Sequence, residues 1–148
     1  MLSKNIDRLQ ELSRKPCFTL GDVAQNFSLQ PASARVLCSR YVRQGLLVRF
    51  KNNIYTTAWK WEDLTRRDLL KIANVLQVPS YISLMTALAY YDVTTQAQNN
   101  YQESVCLKRS VAYHVREAVF SYVKLQNRFY GDFMKKDGVF IATKEKAF

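Results

Sequence analysis

Between Thr19 and Thr57 the spacing of apolar residues changes period twice. Val23, Ala24 and Phe27 sit on one face of a short helix, and Thr19 with Asp22 three residues on resembles a capping box at its start. Ser28-Leu29-Gln30 is a polar break with Leu29 as its one buried anchor, so this helix stops near Phe27. From Pro31, Ala34, Leu37, Cys38 and Tyr41 recur at i, i+3, i+4 and i+7, which predicts a second helix through Gln44. Pro31 suits the first helical position, and Gly45 can take the left-handed conformation that stops the helix. Leu46 to Lys51 then alternate apolar and basic residues, Asn52-Asn53 tolerate positive φ, and Ile54 to Thr57 return as a second strand.

Around this segment the pattern predicts more helices and some strands. Leu2, Ile6, Leu9 and Leu12, interspersed with Lys4, Asp7, Arg8 and Glu11, make Met1 to Arg14 an amphipathic helix that packs across the other two, not a signal peptide. Trp59 and Trp61 are expected to bury against a neighbouring helix, not to stack on bases. Asp63 or Thr65 can cap a helix through Gln77, with Leu69, Leu70, Ala73 and Leu76 inward, and Val78-Pro79 stops it. Ser80 is expected to cap another helix to about Tyr91, with Ile82, Leu84, Met85, Leu88 and Ala89 mostly in the core. The polar run Thr94 to Glu103 reads as a loop. Ser104 to Leu107, Ala118 to Leu125 and Gly138 to Ala142 read as strands, with a turn at Asp137-Gly138. Thr143 resembles an N-cap and Lys144 to Phe148 a first helical turn, so the tail either docks frayed or belongs to a longer protein. The expected fold class is α+β: a winged helix-turn-helix over residues 1–60, then a helix pair and a small mixed α/β unit over 61–148.

The outer side of the second helix carries Ala32, Ser33, Arg35, Val36, Ser39, Arg40 and Arg43. Small residues followed by arginines suit a helix whose first turns slide into a major groove about 12 Å wide. Arg35 is the best candidate for a base edge, Ser33, Ser39 and Arg40 for bases or phosphates, and Arg43 for backbone or solvent. Arg49, Lys51, Asn52 and Asn53 cluster near the hairpin tip, where such a wing meets phosphates or the minor groove. With Gln30 these form the candidate DNA-contacting set. The plainer alternative is a solvated hairpin whose basic residues guard an edge strand.

The net charge of +10 divides as +7 over residues 1–60 and +3 over 61–148, which points to a polyanionic partner for the first unit. With 48% apolar residues over 148 positions the chain should fold. Cys17, Cys38 and Cys106 are odd in number and scattered, which argues against disulfides and structural metal and suits a cytoplasmic location. The longest apolar stretch, Tyr81 to Tyr91, is too short for a membrane span. His114 has no nucleophile that the sequence can place beside it, the four glycines form no phosphate loop, and Glu62-Asp63 point apart on a helix. No catalytic site and no cofactor is expected.

Three strings taken together resemble the AbiEi family, antitoxins of type IV toxin–antitoxin systems and related transcriptional regulators. They are Gly45 to Val48 with Ile54-Tyr55, Pro79-Ser80-Tyr81-Ile82-Ser83-Leu84 with Ala87-Leu88, and Val139 to Ala147. The resemblance covers nearly the whole chain and implies a repressor that binds inverted repeats in its own promoter, two copies per operator, and counters a nucleotidyltransferase-like toxin. Family chains usually continue past the Glu-Lys-Ala string at Glu145 to Ala147, so the second unit is expected to be incomplete by comparison. The competing expectation is a protein-interaction module of winged shape, suggested by Tyr113, Phe120, Tyr122, Phe129, Tyr130 and Phe133 exceeding what so small a core can bury.

Overall fold

A computed structural model describes residues 2–91 and 100–143. The chain is α+β and separates into two compact units, Met1–Leu64 and Thr65–Phe148.

The first unit runs α1 (Leu2–Leu12), β1 (Phe18–Thr19), α2 (Leu20–Phe27), α3 (Pro31–Arg43), β2 (Leu47–Lys51), β3 (Ile54–Thr57) and α4 (Ala58–Asp63). Local chemistry sets its boundaries. The Asp22 amide donates to the Thr19 hydroxyl at 3.1 Å and the Thr19 amide donates to the Asp22 carboxylate at 2.9 Å, closing a reciprocal cap on α2. Ser28 then takes a left-handed φ of 56° and ends that helix. Pro31 opens α3, and Gly45 at φ 79° turns the chain into β2. Ala34 and Cys38 are fully buried and Tyr41 nearly so, packed with Leu9, Phe18, Val23, Phe27 and Tyr55. The Asn5 amide donates to the Tyr41 hydroxyl at 2.9 Å, fastening α1 to α3.

Three features of this unit depart from expectation. Leu29 is exposed, because the left-handed Ser28 turns it away from the core it was expected to anchor. Phe18 and Thr19 form a third strand, giving the sheet order β1-β3-β2. Residues 58–63, read only as a tryptophan-bearing edge, are a helix whose cap is Thr57 accepting from the Lys60 amide at 3.2 Å. Trp61 is buried there against Phe50, with ring centroids 5.8 Å apart.

The second unit is a six-stranded mixed sheet of order β6-β7-β5-β4-β9-β8 with two helices. Its elements are α5 (Arg66–Leu76), β4 (Ser80–Ile82), α6 (Leu84–Tyr90), β5 (Tyr101–Cys106), β6 (Val111–Val115), β7 (Ala118–Lys124), β8 (Phe133–Lys136) and β9 (Val139–Ala142). Thr65 caps α5 in a second reciprocal box with Asp68. Leu69, Leu70, Ile72, Ala73 and Leu76 are buried, and the Tyr122 hydroxyl donates to the Ala73 carbonyl. Asp137 and Gly138, at φ 53° and 80°, make the two-residue turn between β8 and β9.

The helix expected from Ser80 is a strand over its first three residues. Ser80, Tyr81 and Ile82 pair with Cys106, Val105 and Ser104 of β5, and Ile82 pairs with Ile141 of β9. All three are buried, as a central strand requires, and the helix begins only after Ser83. Leu84, expected in the core, is exposed at φ 57°. Tyr101 to Glu103, expected in a loop, belong to β5 and pair with Val119 to Ser121 of β7. Strands β6 and β8 were not anticipated. The Thr94 to Asn99 part of the loop, the Met85 side chain and the Lys144 to Phe148 turn lie outside the described residues. Phe120 and Tyr122 are buried, whereas Phe129 and Phe133 are exposed.

Among the described residues no helix is long and apolar enough to cross a membrane, and no group of three His, Cys, Asp or Glu side chains is arranged to hold a metal ion.

Candidate nucleic-acid interface

Glu62 and Asp63 fold with the first unit, and this changes how the charge is distributed. That unit then holds ten Lys/Arg against five Asp/Glu, and residues 65–148 hold twelve against seven, so the surplus is +5 in each. The asymmetry is local. From Val23 to Trp61 there is no acidic residue, while Arg35, Arg40, Arg43, Arg49, Lys51 and Lys60 are all basic. That stretch supplies α3 and the β2–β3 hairpin.

With Ala34, Cys38 and Tyr41 buried, a rotation of about 100° per residue points Ala32, Val36 and Arg43 most directly outward. Arg35 and Ser39 lie on the flank beside the hairpin; Ser33 and Arg40 lie on the other flank. Arg35, Arg40, Arg43, Ser33 and Gln30 are exposed and Ser39 is half-exposed. Neither Lys15–Asp22 nor Arg67–Asp137, two ion pairs among the described residues, involves Arg35, Arg40, Arg43 or Arg49.

A polar cleft of about 380 Å³ opens between α3 and the hairpin. It is lined by Arg35 and Ser39 from the helix and by Arg49, Asn52, Asn53 and Tyr55 from the hairpin. Five of the ten anticipated contact residues therefore converge, while Gln30, Ser33, Arg40, Arg43 and Lys51 lie outside the cleft. Arg49 is held in place: its backbone pairs with Tyr55 across the ladder, and its guanidinium lies 5.7 Å from the centre of the Tyr55 ring. The ladder shifts register between Arg49 and Lys51, and Asn53 takes φ 70° at the tip, so the turn is a bulged one. Beneath the cleft, burial pushes the Cys38 thiol up to about 11 despite the nearby Arg49 charge, which keeps it an apolar core group.

At the mouth of α3 there is no acidic residue in the first turn and no side-chain cap from Gln30. Pro31 has no N–H, so the Ala32 and Ser33 amides form a positive helix terminus facing outward. Two residues were not among the expected contacts. Val36, placed on the outer side by the helical period but given no contact role, is 60% exposed at the centre of the outward face. Tyr55 could be found only from the hairpin register. His114 is exposed near the end of β6.

No protein-family model matches the chain, and no curated protein matches it.

Proposed function

We propose that the first unit is a winged helix-turn-helix that binds duplex DNA, with α3 in the major groove and the β2–β3 hairpin against the flanking backbone or minor groove. The observation that carries this reading is the open cleft that Arg35, Ser39, Arg49, Asn52 and Asn53 share, with no acidic residue among those lining it. Phosphate oxygens meet Arg49, Lys51 and the Ala32 and Ser33 amides. Val36 packs on a thymine methyl, Arg35 and Ser39 reach base edges on the hairpin side, and Arg40 and Arg43 anchor the far side. The unit performs no catalysis.

The resemblance to AbiEi antitoxins extends the proposal to a cytoplasmic repressor of its own operon. Two copies would sit on an inverted repeat, and a nucleotidyltransferase-like toxin would be the protein partner. Two-fold operators of this kind match paired recognition helices.

The test is fluorescence anisotropy with duplexes tiled across the protein's own upstream region at low salt. One segment should bind far more tightly than a scrambled duplex of equal length. Equal binding to every duplex would remove the repressor reading, and no binding to any of them would remove DNA binding altogether.

A further inference from the structure

In the second unit β4 and β9 are registered at Ile82 and Ile141, and Pro79, just before β4, has no N–H to add to that ladder. Asn74 of α5 takes over at that point: its amide donates to the Phe140 carbonyl at 3.2 Å and its oxygen accepts from the Phe140 amide at 2.7 Å. Beside these residues lies a groove of about 590 Å³, within the range typical of small-molecule sites.

Its walls are apolar and partly aromatic: Val75, Val78, Pro79, Tyr130, Phe133 and Phe140. The three rings meet edge to face, Tyr130–Phe133 at 5.4 Å and Phe133–Phe140 at 6.0 Å, and Tyr81 stacks on one face of Phe133 at 4.8 Å, so a flat guest would meet the other face of that ring. Two cations lie on the lining. Lys71 reaches across the hairpin turn beside Gly138, and Lys135 lies 5.6 Å from the Phe140 ring centre. Among the described residues no carboxylate lines the groove, and Asp137 at the same turn is taken up by Arg67 and Tyr90. Ser80 also lines it, 94% buried, with a hydroxyl that has no hydrogen-bond partner among the described residues. Burial, helped by the neighbouring Tyr81 and Cys106, pushes the Tyr130 hydroxyl up to about 12, so it stays a donor at neutral pH.

We propose that this groove binds a small amphipathic anion, a flat aromatic body carrying a carboxylate or comparable acid group. The body lies between Val75, Phe133 and Phe140, the acid group pairs with Lys71 and Lys135, and Ser80 accepts or donates the remaining hydrogen bond. The charge complementarity of two lysines on an acid-free apolar groove selects this class over neutral or cationic guests. The inference stands independently of DNA binding by the first unit.

The probes are anilinonaphthalene sulfonate and phenylnaphthylamine, which share their rings and differ by the anionic group, titrated by fluorescence into the full-length protein. One saturable sulfonate site per chain is expected, at least about tenfold tighter than the neutral amine, as a charge-assisted contact gives. Replacing both lysines (Lys71→Ala, Lys135→Ala) should bring the sulfonate down to the affinity of the neutral probe without changing the latter. Val75→Asp, at an exposed helix position, should weaken both probes. Unchanged near-ultraviolet dichroism certifies each variant as folded, and Val75→Thr and Lys→Gln replacements stand in for any that is not. Equal affinity for the two probes overturns the anion assignment. Sulfonate preference surviving the lysine variant, affinity untouched by Val75→Asp, or a site that vanishes as protein concentration rises, as it would if a second copy filled the groove, overturns the proposal.

Discussion

Arg35→Ala separates a base contact from a phosphate contact. Arg35 is exposed, forms no salt bridge among the described residues and lies beside the hairpin on α3, so its removal should change folding stability by less than about 0.5 kcal/mol. As a bidentate reader of a guanine edge it carries about 1–3 kcal/mol of discrimination, or about 5- to 150-fold at one base pair. The other cations of the surface, Arg40, Arg43, Arg49 and Lys51, then supply the phosphate contacts. Four such contacts give a log–log salt slope of about −3.6 per bound copy, an affinity loss of about 150-fold between 50 and 200 mM salt. Arg35→Ala should leave that slope alone and lower affinity only for duplexes carrying the preferred base. Lys51→Ala should do the reverse, bringing the slope to about −2.7 and weakening all duplexes alike. Anisotropy titrations of both variants at several salt concentrations, on the preferred duplex and its single-base variants, measure both quantities. If Arg35→Ala weakens every duplex equally and lowers the slope by about 0.9, the residue is a phosphate anchor and the assignment of base reading to this flank is wrong. If neither variant alters affinity, the surface is not the interface.

Two predictions concern the scaffold. A Cβ added at Gly45 would meet nothing within 4 Å, so Gly45→Ala isolates the backbone cost of φ 79° and should destabilise by about 1–2 kcal/mol in urea unfolding; a neutral result would mean that the α3 stop does not depend on glycine. For Asp22, burial raises the carboxyl, but the Thr19 amide and Lys15 outweigh it and hold it below its ordinary value of 3.8. Its contribution is therefore fully present above that value and lost as pH falls below it, so the wild type should lose more stability below about pH 4 than Asp22→Asn, and parallel profiles for the two would refute the linkage.

Local chemistry made much of the first unit legible. The Thr19–Asp22 box, Pro31, Gly45 and the Asn52-Asn53 turn each fix a boundary through atoms a few residues apart, and each stands where the residue types placed it. Pairings between distant segments were invisible. Ser80 to Ile82 satisfy helix-start rules as well as strand rules, and only Ser104 and Ile141, far along the chain, decide for a strand. Tyr101 to Glu103 are polar enough for a loop, yet β5 has neighbours on both sides. The candidate surface divides the same way. The helix contributed its residues through a simple period, whereas the stacking of Arg49 on Tyr55 depends on a bulged register that composition does not encode. The charge argument from residues 1–60 also shifted, because Glu62 and Asp63 fold on the near side of the boundary.

The two-residue strand Phe18–Thr19 has a mechanical consequence. It is paired to β3, and the Leu20 amide donates to the Asn53 carbonyl at 2.9 Å, so the hairpin is clamped along its inner edge right up to its tip. The same Thr19 caps α2, whose packing against α3 sets the pitch of the basic helix. Helix and hairpin thus behave as the two jaws of one stiff caliper whose opening is set from behind. A substitution at Phe18, wholly interior and packed behind both jaws, would change the gap between them without altering any residue that lines it.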